Sequence, residues 1–184
     1  TGSPAPILYI IVNWCIVQLL GNSEWVLRLI PFTGAVSGFL LLVLFIKKTF
    51  SVYTAVISAL LLSASYPLIH YAGNAHPYAT DFLFAVIMIM LTGRVLSADR
   101  KQTRLLWLIT AAAGVLFSFS AVYIIAAHGL IIIGQQVVTR KWKKAVSRAA
   151  EMIPLLIITG TVFILHYSKL AGSMSGMFEE SGLF

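Results

Sequence analysis

Residues 29–46 run through 18 positions without one charged side chain. At a rise of about 1.5 Å per residue, such a run can cross most of a ~30 Å hydrocarbon layer as a helix. Comparable apolar runs follow at 52–69, 78–96, 105–119, 121–138 and 152–168. No water inside a membrane can satisfy an open backbone N–H or C=O, so each run is expected to be helical. The alternation that marks a membrane barrel is absent. The expected fold is all-α, a polytopic transmembrane helical bundle of about six spans.

Composition excludes the other classes. Hydrophobic residues make up 59% of the 184 residues and charged residues 10%, and the mean hydropathy is +0.93. A soluble domain carries about 25% charge and could not cover its surface with so little. A disordered chain is excluded by the same figures. The lone cysteine, Cys15, cannot close an internal disulfide, which excludes a disulfide scaffold. The net charge of +7 points in a membrane protein to basic cytoplasmic loops, not to nucleic acid. Apolar segments start almost at Thr1 with no charged region before them, so no signal peptide is expected. Residues 1–184 are expected to be part of the transmembrane domain of a larger protein, with no soluble domain.

The basic residues set the expected orientation. Lys47 and Lys48 follow the first span. Arg94, Arg100, Lys101 and Arg104 lie around the end of the third, and Arg140, Lys141, Lys143, Lys144 and Arg148 follow the fifth. Eleven of 13 Lys and Arg residues thus fall on alternating loops, leaving Arg28 and Lys169 for the other side. Insertion bias then places loops 47–51, 94–104 and 139–151 in the cytoplasm. Residues 21–28, 70–77, the bend at Ser118–Ser120 and the tail face outward. The opening segment, 6–20, is short and carries Asn13, Trp14 and Gln18. Either it lies along the outer interface, with Tyr9 and Trp14 at headgroup level, or it is a short span. The interfacial reading is preferred.

Polar groups in membrane segments are costly and need a reason. The densest outer cluster is HYAGNAHPYATD, residues 70–81, with His70, Tyr71, Asn74, His76, Tyr78 and Asp81. As a solvated turn it would use Gly73 and Pro77 as punctuation, and Asp81 would suit the start of the next helix. As a site, its imidazoles, phenols, amide and carboxylate could hydrogen-bond a sugar or a phosphate. Arg28 is either a snorkelling anchor or a clamp on a lipid phosphate; Lys169 is read the same way. His128 and His166 are read as lone neutral histidines between helices, and Glu24 as a loop acid. RKWKK, residues 140–144, could attract anionic headgroups, although insertion bias accounts for it. Small residues at 111–114 suit close helix packing.

There is no phosphate-binding glycine loop, zinc motif or nucleophile elbow. The residues alone reach a polytopic membrane protein with a polar outer loop. Two other readings stay open. A small transporter or flippase-like module would use the Ser118–Ser120 bend and His128; a structural membrane subunit would use neither.

In order, the segments resemble the early part of a GT-C type membrane glycosyltransferase of family 39. That group includes the dolichyl-phosphate-mannose–protein mannosyltransferases and the aminoarabinose transferases of lipid A. The resemblance covers most of residues 5–138. PAPILYIIVNWCIVQLLGNSEWVLRLIPFTGAVSGFLLLVLFIKKTF is similar to a Pro–Leu–Tyr helix, a Gly-containing turn, an Arg–Leu–Pro start and a span ending in basic residues. LLLSASYPLIHYAGNAHPYATDFLFAVIMIML resembles the next two spans and their loop, and AAAGVLFSFSAVYIIAAHGLIII the following helical pair.

The resemblance implies a juxtamembrane helix at 6–20 and loop 70–81 beside a cavity for a polyprenyl-phosphate sugar. It implies hexosyl or pentosyl transfer to an acceptor protein, lipid or glycan on the extracytoplasmic side of a bacterial or archaeal cell membrane. A carboxylate in an earlier outer loop, outside this chain, would be the general base. No catalytic residue is therefore assigned here, no cofactor is implied, no metal ligand is named in this chain, and the resemblance leaves a divalent-metal requirement open. The implied phosphate-binding candidates are Arg28, Tyr71, His76, Tyr78 and Lys169, with Asp81 orienting its neighbours. Where the family has arginine before the Pro/Met–Tyr of this loop, this chain has His76, which is charged only below about pH 6.5 unless perturbed.

Overall fold

The computed structural model describes residues 6–74 and 76–165. Helices account for nearly all of them, and among the described residues there is no strand. The order is α1 (Ile7–Leu20), α2 (Glu24–Thr49), α3 (Val52–Ser63), α4 (Tyr66–Ala72), α5 (Tyr78–Ala98), α6 (Lys101–Phe117), α7 (Ala121–Val138) and α8 (Trp142–Glu151). A final helix, α9, covers residues 153–165.

The helical membrane bundle is as expected, with a different division into spans. Four helical stretches are long and apolar enough to cross a membrane: α2, α5, α7 and the Trp142–Leu165 stretch that joins α8 to α9. The expected span 52–69 is instead two helices, α3 and α4, bent by 62°. Pro67 explains the break. Its ring has no N–H for the Ser63 carbonyl and would collide with it, whereas in the first turn of a new helix, where it stands in α4, proline is tolerated. Helix α6 has 17 residues, or about 25 Å at helical rise, which is at the lower limit for a span. Helix α1 has 14 residues, about 21 Å, and is too short to cross a ~30 Å core unaided. It packs on α2 and α6, with buried Tyr9 edge-on to Phe117 at 5.7 Å. Residues 139–151, expected as a loop, hold helix α8. Its Lys, Arg and Ala residues are good helix formers, and the helix buries Ala145 and Arg148 while exposing Trp142 and Val146.

Helix α5 is the hub, touching α2, α4, α6 and α7. Its core face brings Met88, Leu91 and Val95 against Trp107 and Val115 of α6, Ile125 and Ile132 of α7, and Leu155 and Val162 of α9. Trp107 is 2% exposed, and its indole N–H donates to the Thr92 hydroxyl at 2.9 Å. That bond satisfies the one polar atom of a large buried ring. On the opposite side, α2 meets α5 through glycines. A Cβ on Gly34 would stand 2.9 Å from Thr80 Cγ2, and one on Gly38 would stand 2.8 Å from Phe82 Cδ1. Only glycine permits this approach, the small-residue contact by which membrane helices gain van der Waals packing. Outward-facing Leu44, Leu60, Leu61, Leu130 and Leu156 are each more than half exposed, as lipid-facing side chains must be.

The basic junctions converge at one end. Lys48 shares a groove with Arg94 and Arg100, and Lys144 and Arg148 reach Asp99 across the α5–α6 junction. The polar-aromatic residues of the α4–α5 junction and the Ser118–Ser120 turn lie at the other end of α5, around Asp81.

Candidate functional site

Four elements build the polar-aromatic end. Helix α4 presents Tyr66, His70 and Tyr71. Between α4 and α5 the His76 amide donates to the Asn74 carbonyl at 2.7 Å. Helix α5 then starts with Tyr78 behind Pro77, whose fixed φ suits a helix start and whose carbonyl accepts from the Thr80 hydroxyl. The turn between α6 and α7 supplies Ser118 and Ser120.

The rings form a continuous chain. His76 stacks on Tyr78 at 3.9 Å between centroids, and Tyr78 meets Tyr71 edge-on at 5.0 Å. Tyr71 meets His70 at 5.2 Å, and His70 stacks on Tyr66 at 5.4 Å. The Asn74 amide nitrogen is 3.0 Å from His70 Nε2, which fixes that imidazole. Tyr71 and Tyr78 border a pocket of about 240 Å³ between α3, α4 and α5, walled by Leu62, Leu68 and Phe82. The phenol rings are partly exposed, so the platform is open to a ligand.

Behind it lies Asp81, 8% exposed. The hydroxyls of Ser118 and Ser120 and the imidazole of His76 face its carboxylate, while no protein group makes an ordinary hydrogen bond to its Oδ1. His76 Nδ1 is also buried without a protein partner. A carboxylate and an imidazole thus lie side by side under an aromatic surface, with no arginine or lysine paired to the acid among the described residues.

Of the residues singled out in the sequence, the fold brings together Tyr71, His76, Tyr78 and Asp81. It does not bring Arg28 to them through any hydrogen bond or ion pair. Arg28 is ion-paired with Glu24 one turn back on α2, as an i,i+4 acid–base pair on a helix surface favours. Lys169 and His166 lie outside the described residues. His128 sits on α7, with its Nδ1 buried and unpartnered. Helix α7 packs on α5, α6 and α8, whereas the broken pair α3–α4 packs on α2 and α5. The Ser118–Ser120 bend, the other feature a transport site would use, leads directly into α7. Among the described residues no three His, Cys, Asp or Glu side chains cluster as metal ligands would.

Sequence reading missed Ser118 and Ser120 as partners of Asp81; Ser-Phe-Ser registers only as a bend. It also missed an ionic cluster at the basic end. Arg148 donates through Nη2 to both Asp99 oxygens, at 2.6 and 2.7 Å, and through Nη1 to Glu151 at 2.6 Å. Arg104 adds bonds to Asp99 Oδ1 at 3.1 Å and Glu151 Oε2 at 3.2 Å. Partial burial pushes the Asp99 carboxyl upward. The hydrogen bonds and charge of Arg148, and then of Arg104, outweigh it and hold the carboxyl below its ordinary value.

The model of one protein family, described as dolichyl-phosphate-mannose-protein mannosyltransferase, matches residues 4–164. Comparisons with curated proteins and with solved structures give no significant match.

Proposed function

The chain belongs to the dolichyl-phosphate-mannose-protein mannosyltransferase family, and from that premise we propose that its polar-aromatic end binds the lipid-linked sugar donor. The family is one of membrane glycosyltransferases, which implies a lipid-linked donor and an acceptor. The proposed reaction moves a sugar from a polyprenyl phosphate to an acceptor on the extracytoplasmic face. The segregation of eleven basic residues to the opposite loops supports that sidedness.

Chemically, the acceptor oxygen or nitrogen attacks the anomeric carbon as it loses its proton to a general base. The bond between that carbon and the phosphate oxygen breaks, and the phosphate keeps the electron pair. Developing charge on that oxygen calls for fixed donors. His76 and the Tyr71 and Tyr78 hydroxyls are the groups that can supply them, and the stacked rings offer a face for the sugar. Asp81 acts as a positioning residue, orienting His76 and the two serine hydroxyls. Arg28 gives one N–H to Glu24 and keeps others free to donate, and Lys169 remains a candidate on sequence grounds. The base is assigned to no residue of this chain.

The observation that carries the reading is the His76–Tyr78–Tyr71 ring platform over a buried, arginine-free carboxylate. The test is transfer from a polyprenyl-phosphate sugar by the full-length protein. Combined His76→Ala and Tyr78→Phe should lower the rate about a hundredfold, the scale of losing oxyanion donors. His128→Ala should leave it within about twofold. The reverse pattern would favour a transport site and refute the assignment.

A further inference from the structure

Helices α2 and α5 run side by side but do not stay in contact. At Gly34 and Gly38 they nearly touch. Further along, Leu41, Leu44 and Phe45 replace the glycines and the helices part, leaving an open groove of about 760 Å³. Met90 and Gly93 of α5 form the facing wall. A Cβ built on Gly93 meets nothing within 4 Å, so this glycine, unlike the other two, is not there for close packing.

The mouth of the groove is cationic. Lys48, Arg94 and Arg100 stand around it, and none makes an ion pair or side-chain hydrogen bond among the described residues. The acids among the described residues do not serve them. Asp99 and Glu151 are held by Arg148 and Arg104, Glu24 is held by Arg28, and Asp81 lies at the far end of α5. Three cations without a partner among the described residues therefore border an apolar trough at the level where a spanning helix meets the headgroups.

We infer that this groove is a binding site for an anionic glycerophospholipid, with the phosphate among Lys48, Arg94 and Arg100 and an acyl chain along Leu41, Leu44 and Met90. A soluble anion would leave the apolar walls uncovered. A zwitterionic lipid would bring its own cation into a triply cationic mouth. Basic pockets between membrane helices are suited to anionic headgroups for the same reason. The site is separate from the donor platform and does not depend on that reading.

The experiment uses the full-length protein in phosphatidylcholine nanodiscs, titrated with fluorescent phosphatidylglycerol. Lys48→Gln/Arg94→Gln/Arg100→Gln should weaken binding at least about tenfold, given the contribution of each cation near a membrane surface. Gly93→Phe fills the trough without changing charge and should weaken it by a similar factor. Arg140→Gln/Lys141→Gln/Lys143→Gln, which removes equal charge at another basic junction, should change it by less than twofold. Equal losses in the two triple variants would mean diffuse electrostatics and overturn the site. So would full binding by Gly93→Phe, equal binding of labelled phosphatidylcholine, or displacement by soluble glycerophosphoglycerol at matched concentration.

Discussion

Helix α5 carries an aspartate at each end, and the two are treated in opposite ways. Asp99 is a third exposed and is gripped by two arginines from other elements. Asp81 is 8% exposed and faces only hydroxyls and one imidazole. A buried carboxylate without a full counter-charge costs stability, so its retention needs a reason other than holding the fold. A carboxylate knitted to arginines across three elements needs none. The difference supports the proposed roles: the Asp99–Arg148 cluster fastens the helices, and the polar-aromatic end is the proposed donor site.

Five substitutions sharpen or break that contrast. The largest effect is expected where the helices touch. Gly38→Leu drives a side chain into Phe82 and should cost about 3 kcal/mol, read as a fall in the thermal midpoint of the purified protein, whereas Gly93→Leu on the same helix pair should change it little.

Arg148→Met removes the central cation of the fastening and should cost about 2 kcal/mol, less than a fully buried pair because both acids are partly solvated. The pH dependence has a definite sign. Asp99 is held below its ordinary value, so its contribution is present above about pH 4 and fades as pH falls through the lower folded-state value. Acid titration of stability should therefore show a larger loss in the parent than in Arg148→Met, where Arg104 still holds Asp99, the two curves converging at low pH.

Asp81→Asn should act in the other direction. Removing the uncompensated charge is expected to stabilise the protein by about 1 kcal/mol while lowering sugar transfer. A destabilising result with unchanged transfer would place Asp81 with Asp99 as structural. Smallest is Thr92→Val, which leaves the buried Trp107 N–H without its acceptor and should cost about 0.6 to 1 kcal/mol; chemical denaturation in detergent checks it.

The sequence displays the apolar helical character of the bundle and the grouping of charge on a few junctions because both are written in consecutive residues. Pro67 was visible, yet hydropathy reads straight through a proline, which membrane helices often tolerate. The break at residues 64–65 shows only once packing on α2 and α5 is seen. Helix α8 is hidden in a basic stretch whose lysines look like a loop. Arg148 and Asp99 lie 49 positions apart, and no local period marks such a pair. Ser118 and Ser120 meet Asp81 only through the packing of α7 on α5. By contrast, the Tyr71–Tyr78 side of the platform was legible, because its residues lie within eight positions of one another.

Sidedness is the claim on which the donor site stands, and labelling tests it directly. With Cys15→Ser as background, Gly73→Cys and Gln102→Cys place single thiols at the polar-aromatic and basic ends of this chain. In intact cells making the full-length protein, a membrane-impermeant maleimide should label Gly73→Cys and reach Gln102→Cys only after permeabilisation. Labelling of Gln102→Cys alone in intact cells would contradict the account.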